Sequence, residues 1–414
     1  MPSYGLDLKV DDEIITKIDL LDRLESMDRY LPAEAMHLGG INKRIEDAIN
    51  TLENIIPQNS NAQKENYCYA LIKLFANTVY IGESILYYLW RLLFNIIKER
   101  YELDDNTIFQ KTLIFSEEPE IRNEFVTSNN LTGKLDVDKQ IRSSRLGDFS
   151  SLLLNGILTS LEGNNDQNNL LNKFDEYSYF SRKYWILLID NSISGISLYS
   201  ELKKICGTIR ALSETGKQKN IEKVIVLVQL FTEEAQQYIQ SKINNKDSED
   251  INFLIERNIF SLDNIHYGLL FDKTFKLFVP DERDGTFKVN DKCKLLDKDT
   301  LNLIKSLCEE LDNKYLKQDP IYGEKTQWRE KSKGNVKFGF HNGGYTIVTS
   351  KNCISNSIPL LWYYRDEYKA PYPRRESRTS QIRSWDEDLL KLLKEFARAL
   401  NLRLGLENSE GEDS

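Results

Sequence analysis

The chain has few of the residue types that build metal centres and cross-links. Its 414 residues include five cysteines and three histidines. The cysteines are odd in number, widely spaced and never arranged as Cys-x-x-Cys; they are Cys68, Cys206, Cys293, Cys308 and Cys353. Disulfide frameworks and structural zinc sites need paired or closely spaced ligands. The sequence therefore predicts neither, and we expect no metal site built by the protein alone.

The chain has no long apolar run, and we expect no secretory leader. The chain begins with the acidic and polar stretch MPSYGLDLKVDDE. The most lipid-like segment, Ile85 to Ile97, contains Arg91 and Asn95 and is too short to span a bilayer. We therefore expect a cytoplasmic protein that has no membrane partner.

The chain lacks an excess of positive charge. It has 55 lysines and arginines against 64 aspartates and glutamates, which gives a net charge of −9. This balance argues against nucleic-acid binding over the whole surface, but it leaves room for a local basic patch. A nucleic-acid partner therefore stays open.

The length exceeds that of one average domain and predicts two or three. Residues 1–105 have a helical pattern, and residues 106–350 alternate between strand-like and helix-like patterns. Residues 351–414 read as a C-terminal extension that completes the core and ends in a docking helix and an acidic tail. Strands that alternate with helices predict an α/β fold. We expect a doubly wound, mostly parallel sheet with an N-terminal helical region and a C-terminal helix.

The helical region is rich in apolar and aromatic residues. From Tyr67 to Tyr101 the pattern predicts one long buried helix, or two helices joined near Gly82. In the middle region, five apolar runs predict strands. These runs are Thr112–Phe115, Trp185–Ile189, Val224–Val228, Leu269–Phe271 and Phe275–Val279. Glu233–Ile243 predicts a helix between two of them.

The stretch from Trp185 to Leu198 carries the most chemical information. Its apolar run ends at Asp190, and a polar loop from Asn191 to Ser197 follows. A helix then begins, because apolar residues recur at helical spacing. They are Leu198, Leu202, Ile205 and Ile209. A strand, a small-residue loop and a helix N-terminus together favour anion binding through backbone N–H groups and the helix dipole.

The loop supplies further groups that suit a phosphate. Ser192, Ser194 and Ser197 offer hydroxyl donors, and Gly195 lets the backbone come close to a ligand. Asp190 repels a phosphate, so it suits sugar hydroxyls or a metal-bound water instead. An ordinary α/β strand end followed by a serine-rich turn remains the alternative reading.

This segment resembles the loop of type I phosphoribosyltransferases that binds phosphoribosyl pyrophosphate (PRPP). In that family an apolar strand and two acidic residues precede a Thr-Gly-x-Thr motif. In this chain, Ser194–Ser197 aligns with that four-residue motif. Only one acidic residue is present: Asp190 matches one, and either Ile189 or Asn191 stands for the other. The resemblance implies that Ser192, Ser194, Gly195 and Ser197 bind the 5′-phosphate. It also implies that Asp190 and Asn191 hold the ribose hydroxyls, with Mg²⁺ on the pyrophosphate.

A second resemblance lies upstream. Ser143 to Asp148 stands where such an enzyme has its pyrophosphate loop, which implies that Ser144, Arg145 and Gly147 bind the diphosphate. A plain helix start with a Ser or Asp cap explains the same residues.

A third resemblance covers Lys337 to Arg375. Its apolar strand (Tyr345–Val348), Asn-containing turn, Ile358–Trp362 element and Pro-Arg-Arg exit are similar to phosphoribosyltransferase-like effectors of bacterial conflict systems. The family usually has Asn-Thr-Pro in the turn, where this chain has Asn352-Cys353-Ile354. The alternative is a purely structural role, since a tight turn packed around a core tryptophan would need the same residues.

Three functions stay open at this stage. The first is a phosphoribosyltransferase-like enzyme that binds PRPP or a nucleotide phosphate and transfers or releases a ribosyl-phosphate group in anti-phage defence. The second is an inactive PRPP or nucleotide sensor, which the missing carboxylate favours. The third is a module whose aromatic N-terminal helices and C-terminal helix bind a protein partner of a defence operon or a second copy of the chain.

Overall fold

The computed structural model describes residues 6–7, 40–58, 64–103, 111–116, 119–131, 182–214, 221–244, 249–281, 286–320, 322, 336–340, 343–350, 353–354 and 356–372. The strands among them are β1 (Leu6–Asp7), β2 (Val79–Ile81), β3 (Thr112–Ser116), β4 (Tyr184–Ser192), β5 (Lys223–Thr232), β6 (Ile265–Phe271), β7 (Phe278–Pro280), β8 (Phe287–Val289) and β9 (Ile347–Thr349). The α-helices are α1 (Ile41–Thr51), α2 (Lys64–Ala76), α3 (Glu83–Arg100), α4 (Pro119–Ser128), α5 (Ile196–Glu214), α6 (Glu233–Asn244), α7 (Glu249–Glu256), α8 (Lys298–Lys314) and α9 (Pro359–Trp362).

A five-stranded sheet forms the centre of the fold. Its order is β1-β6-β5-β4-β3, and every neighbouring pair is parallel. The strands β4 and β5 lie in the interior, and their apolar runs are buried throughout. Strands that are covered on both faces need such continuous apolar runs. The predicted α/β class with a mostly parallel sheet is confirmed.

Helices cover both faces of this sheet. Because side chains alternate along a strand, Trp185 and Leu187 face one layer while Ile186 and Leu188 face the other. The first layer contains α5, α6 and α7, and the second contains α3 and α4. The apolar positions predicted for α5 are confirmed as core residues. They are Leu198, Leu202, Ile205 and Ile209, each 0% exposed.

The predicted limits of β4 and α5 need correction. The strand does not end at Asp190 but continues through Asn191 and Ser192, which pair with Leu230 and Phe231 of β5. The helix starts at Ile196 rather than Leu198, so Ser197 belongs to its first turn. Pairing with a long neighbour extends the strand, and sequence periodicity alone does not report such pairing.

The helical N-terminal region consists of separate helices. Between α2 and α3 the chain forms the short strand β2, which pairs in parallel with β9. The alternative with two helices joined near Gly82 is therefore correct, since Gly82 is the N-cap of α3. A third apolar cluster contains residues of 1–105, 106–350 and 351–414. The boundaries between these three segments stay a prediction.

The later strands differ from the expectation. Leu269–Phe271 is the end of the longer β6, while residues 273–275 form a 3₁₀ turn capped by Asp272. The predicted strand Phe275–Val279 therefore begins too early. Lys276 forms only an isolated bridge to Tyr345, and the strand itself is β7, paired with β8 as an antiparallel hairpin. The predicted strand Tyr345–Val348 is displaced to β9. Side-chain capping by Asp272 favours the turn over a strand.

The C-terminal segment wraps a buried tryptophan. Trp362 Nε1 donates to Ser357 O at 2.7 Å, and the Trp362 ring stacks on Phe340 with centroids 5.9 Å apart. Asn356 Nδ2 donates to Phe340 O at 2.7 Å. These residues of the third sequence motif therefore have a direct role in folding. Asn352, the Pro-Arg-Arg exit, the predicted C-terminal helix and the acidic tail lie outside the described residues.

All five cysteines are free thiols. Among the helices that the structure describes, none combines the length and apolar character needed to cross a membrane.

A buried histidine lies at the amino end of β6. His266 is 4% exposed, its Nε2 lies 3.3 Å from the Tyr101 hydroxyl, and that hydroxyl accepts a hydrogen bond from Asn264 Nδ2 at 3.1 Å. Burial, with a smaller contribution from Arg100, lowers the pKa of His266 to about 4. Folding therefore favours the neutral ring.

This histidine makes stability depend on pH. As pH falls from about 6.5 to about 4, the unfolded chain binds a proton that the folded chain does not, so the free energy of unfolding should fall by roughly 3 kcal/mol. The variant His266→Gln cannot titrate and should lose less stability over the same interval. Urea unfolding at a series of pH values measures the difference, and identical slopes for the two proteins would contradict the prediction.

Candidate functional site

Several helices begin at the carboxyl edge of the central sheet. The helix α6 starts immediately after β5, α5 starts four residues after the end of β4, and α4 starts three residues after the end of β3. The first turn of α3 is held at the same edge, because Gln229 Nε2 near the end of β5 donates to Leu86 O at 2.8 Å. In open α/β sheets this is the edge at which ligands bind. The positive ends of these helix dipoles therefore meet there.

The N-terminus of α5 differs from its neighbours. First-turn carboxylates are present in α3 (Glu83), α4 (Glu120) and α6 (Glu233). The first turn of α5, which the structure describes in full, contains no acidic residue. Within the described chain, the N–H groups of Ser197 and Leu198 have no hydrogen-bond acceptor. This helix end is therefore the one best suited to an external anion.

The predicted residues at the end of β4 lie together beside this helix end. Asp190 is half-buried, and its Oδ1 accepts a hydrogen bond from Asn191 N at 2.6 Å. Ser194 Oγ accepts from Ile196 N at 3.4 Å. The Ser192 hydroxyl is 3% exposed and has no partner in the described part of the chain. A buried hydroxyl without a partner is uncommon and marks a place where a ligand can supply one.

Gly195 has a structural role that the sequence did not indicate. Its φ is +78°, and a Cβ there would lie 2.9 Å from both Ala235 O and Tyr238 Cδ1. The neighbour that needs this space is thus α6 rather than a ligand. Thr232 adds to the contact, since its Oγ1 donates to Ile193 O at 2.6 Å and accepts from Ala235 N at 3.0 Å. The start of α6 therefore fixes the shape of the loop.

A buried arginine near this edge was missed by the sequence analysis. Arg122 belongs to the first turns of α4 and is 4% exposed. Its Nε and Nη1 have no hydrogen-bond partner within the described residues. Burial alone lowers its pKa to about 10, so the guanidinium remains charged at neutral pH. A buried cation without a counter-ion is costly and calls for an anion.

A buried lysine supports the start of α6. Lys276 is 1% exposed, and its Nζ lies 2.6 Å from Glu234 Oε1. The Tyr345 hydroxyl donates to Glu234 Oε2 at 3.3 Å. Burial lowers the pKa of Lys276, which Glu234 opposes, and burial raises the pKa of Tyr345 well above its usual value. Lys276 lies in the β6–β7 connection and Tyr345 lies just before β9, so their contacts with Glu234 fix both segments to α6. Since α6 also contacts Gly195, the cluster supports the loop after β4.

The predicted diphosphate residues Ser144, Arg145 and Gly147 lie outside the described residues. The Mg²⁺ prediction can be compared with the donors that are present. In the part of the chain that the structure describes, no group of three or more His, Cys, Asp or Glu side chains is placed so that it could hold a metal ion. Mg²⁺ usually takes one or two carboxylates together with substrate phosphates. Asp190 alone therefore fits an ion that arrives with a diphosphate, but it does not form a cage by itself.

Comparison with protein families now decides the assignment. The family model PRTase-CE, for phosphoribosyltransferases of the conflict-effector type, matches residues 58–374. The chain belongs to the PRTase-CE family. This match confirms the family that the sequence motifs suggested, and its span includes β4, its loop and the Trp362 segment. No curated protein and no solved structure matches the chain.

The PRTase-CE loop should tolerate little change at Gly195. The substitution Gly195→Ala introduces a Cβ against α6 at a positive φ, so it should lower the free energy of unfolding by roughly 1–3 kcal/mol. Chemical denaturation measures the loss.

Gly207 of α5 provides the matched control. A Cβ there would meet nothing within 4 Å, so Gly207→Ala should stabilise the protein by up to about 1 kcal/mol. Equal effects of the two substitutions would show that the loop is not held by α6.

Proposed function

We propose that this PRTase-CE protein binds PRPP or a closely related ribosyl phosphate at the carboxyl edge of its sheet. The observation that carries the proposal is the N-terminus of α5, which lacks first-turn carboxylates and directly follows Asp190 and the serine loop. Its unpaired N–H groups and the hydroxyls of Ser192, Ser194 and Ser197 bind the 5′-phosphate. Gly195 contributes by keeping the loop in shape against α6.

Other residues at the same edge bind the remaining parts of the ligand. The Asp190 carboxylate and the Asn191 amide hold the ribose hydroxyls. The diphosphate, which carries Mg²⁺ when bound, approaches Arg122, whose buried guanidinium needs an anion. Ser144, Arg145 and Gly147 remain predicted partners of the same diphosphate.

In catalysis these residues act by positioning the substrate and by stabilising charge. In a transfer from PRPP, the bond between the ribose C1 and a diphosphate oxygen breaks, and the diphosphate leaves with the bonding electrons. An acceptor attacks C1 and loses a proton. Such a step needs an oriented sugar and a stabilised leaving group more than covalent help from the protein. Asp190 and α5 would orient the sugar, and Arg122 would stabilise the leaving charge. In a bacterial defence system this transfer or release is the effector activity.

One observation favours a second function. The chain has Asn191 next to Asp190 where two acidic residues would be expected, so its hold on the ribose or a metal is weaker. In that case the protein senses PRPP or a nucleotide without turnover and passes the signal to a protein partner. The two functions share the ligand site but differ in diphosphate release.

Thermal unfolding with PRPP tests the shared site. A ligand at about 100 times its dissociation constant stabilises the folded protein by about 2.7 kcal/mol, so the melting temperature should rise by several degrees. We expect a larger shift with Mg²⁺ than without it. Asp190→Ala should reduce the shift. Asp291→Ala, which removes an exposed carboxylate with 77% of its side chain accessible, should leave it unchanged.

The outcomes separate the alternatives. A shift together with diphosphate release identifies the enzyme, and a shift without release identifies the sensor. If neither PRPP nor ribose 5-phosphate stabilises the wild-type protein, the proposed site is wrong.

A further inference from the structure

The first turns of α3 expose apolar side chains to solvent. Ile85 is 46% exposed and Tyr88 is 56% exposed, while Leu92 is half-buried. These three positions follow each other at spacings of three and four residues, so they lie on one side of the helix. We call them the α3 stripe. The other side of α3, which includes Leu89 and Leu93, is fully buried in the core.

The α3 stripe begins at the carboxyl edge of the central sheet. The first turn of α3 is fixed there by the hydrogen bond from Gln229 Nε2 to Leu86 O. Ile196, which is 37% exposed, begins α5 at the same edge. Large apolar side chains that are exposed together in one region mark an interaction surface.

The last described residue, Tyr372, lies close to the start of this stripe. Arg44 Nη1 of α1 donates to Pro371 O at 2.9 Å. Burial raises the pKa of Tyr80 to about 12 and raises the pKa of Tyr372, and Arg44 opposes both shifts, so its guanidinium lies near both hydroxyls. Tyr80 is the middle residue of β2 and precedes Ile85 by five positions. The chain therefore continues beyond Tyr372 from a point near the first turn of α3.

The sequence beyond Tyr372 contains a matching apolar pattern. Residues 384–400 lie outside the described residues, and their sequence predicts a helix that begins with Ser384 and Glu387 in capping-box spacing. Apolar residues recur there at helical spacing. They are Leu389, Leu392, Leu393, Phe396 and Leu400. A helix with one apolar face needs an apolar surface to cover that face.

The intervening linker is long enough to bring this segment to the α3 stripe. Eleven residues separate Tyr372 from Ser384, and they can span up to roughly 36 Å when extended. Tyr88 lies six residues beyond the N-cap Gly82, which corresponds to only about 9 Å along the helix axis. A short tether of this kind gives a millimolar effective concentration, which a separate copy of the chain at micromolar concentration does not reach.

We propose that residues 384–400 form a helix that docks on the α3 stripe of the same chain. Its apolar face packs against Ile85, Tyr88 and Leu92, so both apolar surfaces are removed from water. Docking needs no ligand and does not depend on the proposed function. If that function also holds, the docked helix borders the edge of the sheet that binds PRPP.

Limited proteolysis of the full chain with trypsin, in the absence of ligand, tests the docking. Cleavage after Lys391 and Lys394 requires release of the helix, so both cleavages should be at least about tenfold slower in the protein than in a synthetic peptide of residues 380–404. Tyr88→Glu places a charge in the proposed contact and should accelerate both cleavages at least about tenfold. Phe396→Glu should do the same from the other side of the contact. The double variant should be cleaved no faster than the single variants, because each already removes the same contact.

The control makes the same change at another exposed tyrosine. Tyr69 of α2 is 43% exposed, and Tyr69→Glu should leave both cleavage rates at the wild-type value. Three results would overturn the proposal. They are cleavage of the wild-type protein as fast as the peptide, equal acceleration by Tyr69→Glu and Tyr88→Glu, or protection that appears only as the protein concentration rises from about 1 to about 100 μM. The last result would assign the α3 stripe to a second copy of the chain.

Discussion

The parallel pairing of β4 with β5 is the constraint on which the site depends. It extends to Ser192↔Phe231, so the two strands end side by side and the helices that follow start side by side. The contact of Gly195 with Ala235 is possible only in this register. A shift by one residue would turn the side chains of β4 to the opposite face and separate the loop from α6. The same register between β4 and β5 is therefore required both for packing of the core and for the geometry of the loop.

Positive groups near the same edge have no matching anion among the residues that the structure describes. Helix N-termini, the free N–H groups of α5 and the buried Arg122 lie around it, while the nearby cation Lys276 is matched by Glu234. The difference between the two cations is informative. A salt bridge such as Lys276–Glu234 supports the structure, whereas an unmatched guanidinium lowers stability and is retained where an anion compensates. This reasoning links the energetics of the PRTase-CE fold to its ligand.

The sequence predicted those features that depend on local pattern. The buried runs of β4 and β5 and the helix that begins at Glu233 were predicted because apolar periodicity is a local signal. The loop was identified, but its limits were not, since strand pairing extends β4. Arg122 could not be found, because a charged residue in a helix reads as solvent-facing until the fold buries it. The role of Gly195 likewise depends on α6, which lies about forty residues away in the chain.

The substitution Arg122→Met most directly tests the claim that this edge is built for an anion. Removal of a buried, unmatched charge should raise the free energy of unfolding of the ligand-free protein by about 1 kcal/mol or more. The same change should weaken PRPP binding by at least about tenfold, because a charge-assisted contact is lost. Unfolding and calorimetric titration on one preparation give both values. A variant that is less stable than wild type and binds PRPP with unchanged affinity would contradict the account.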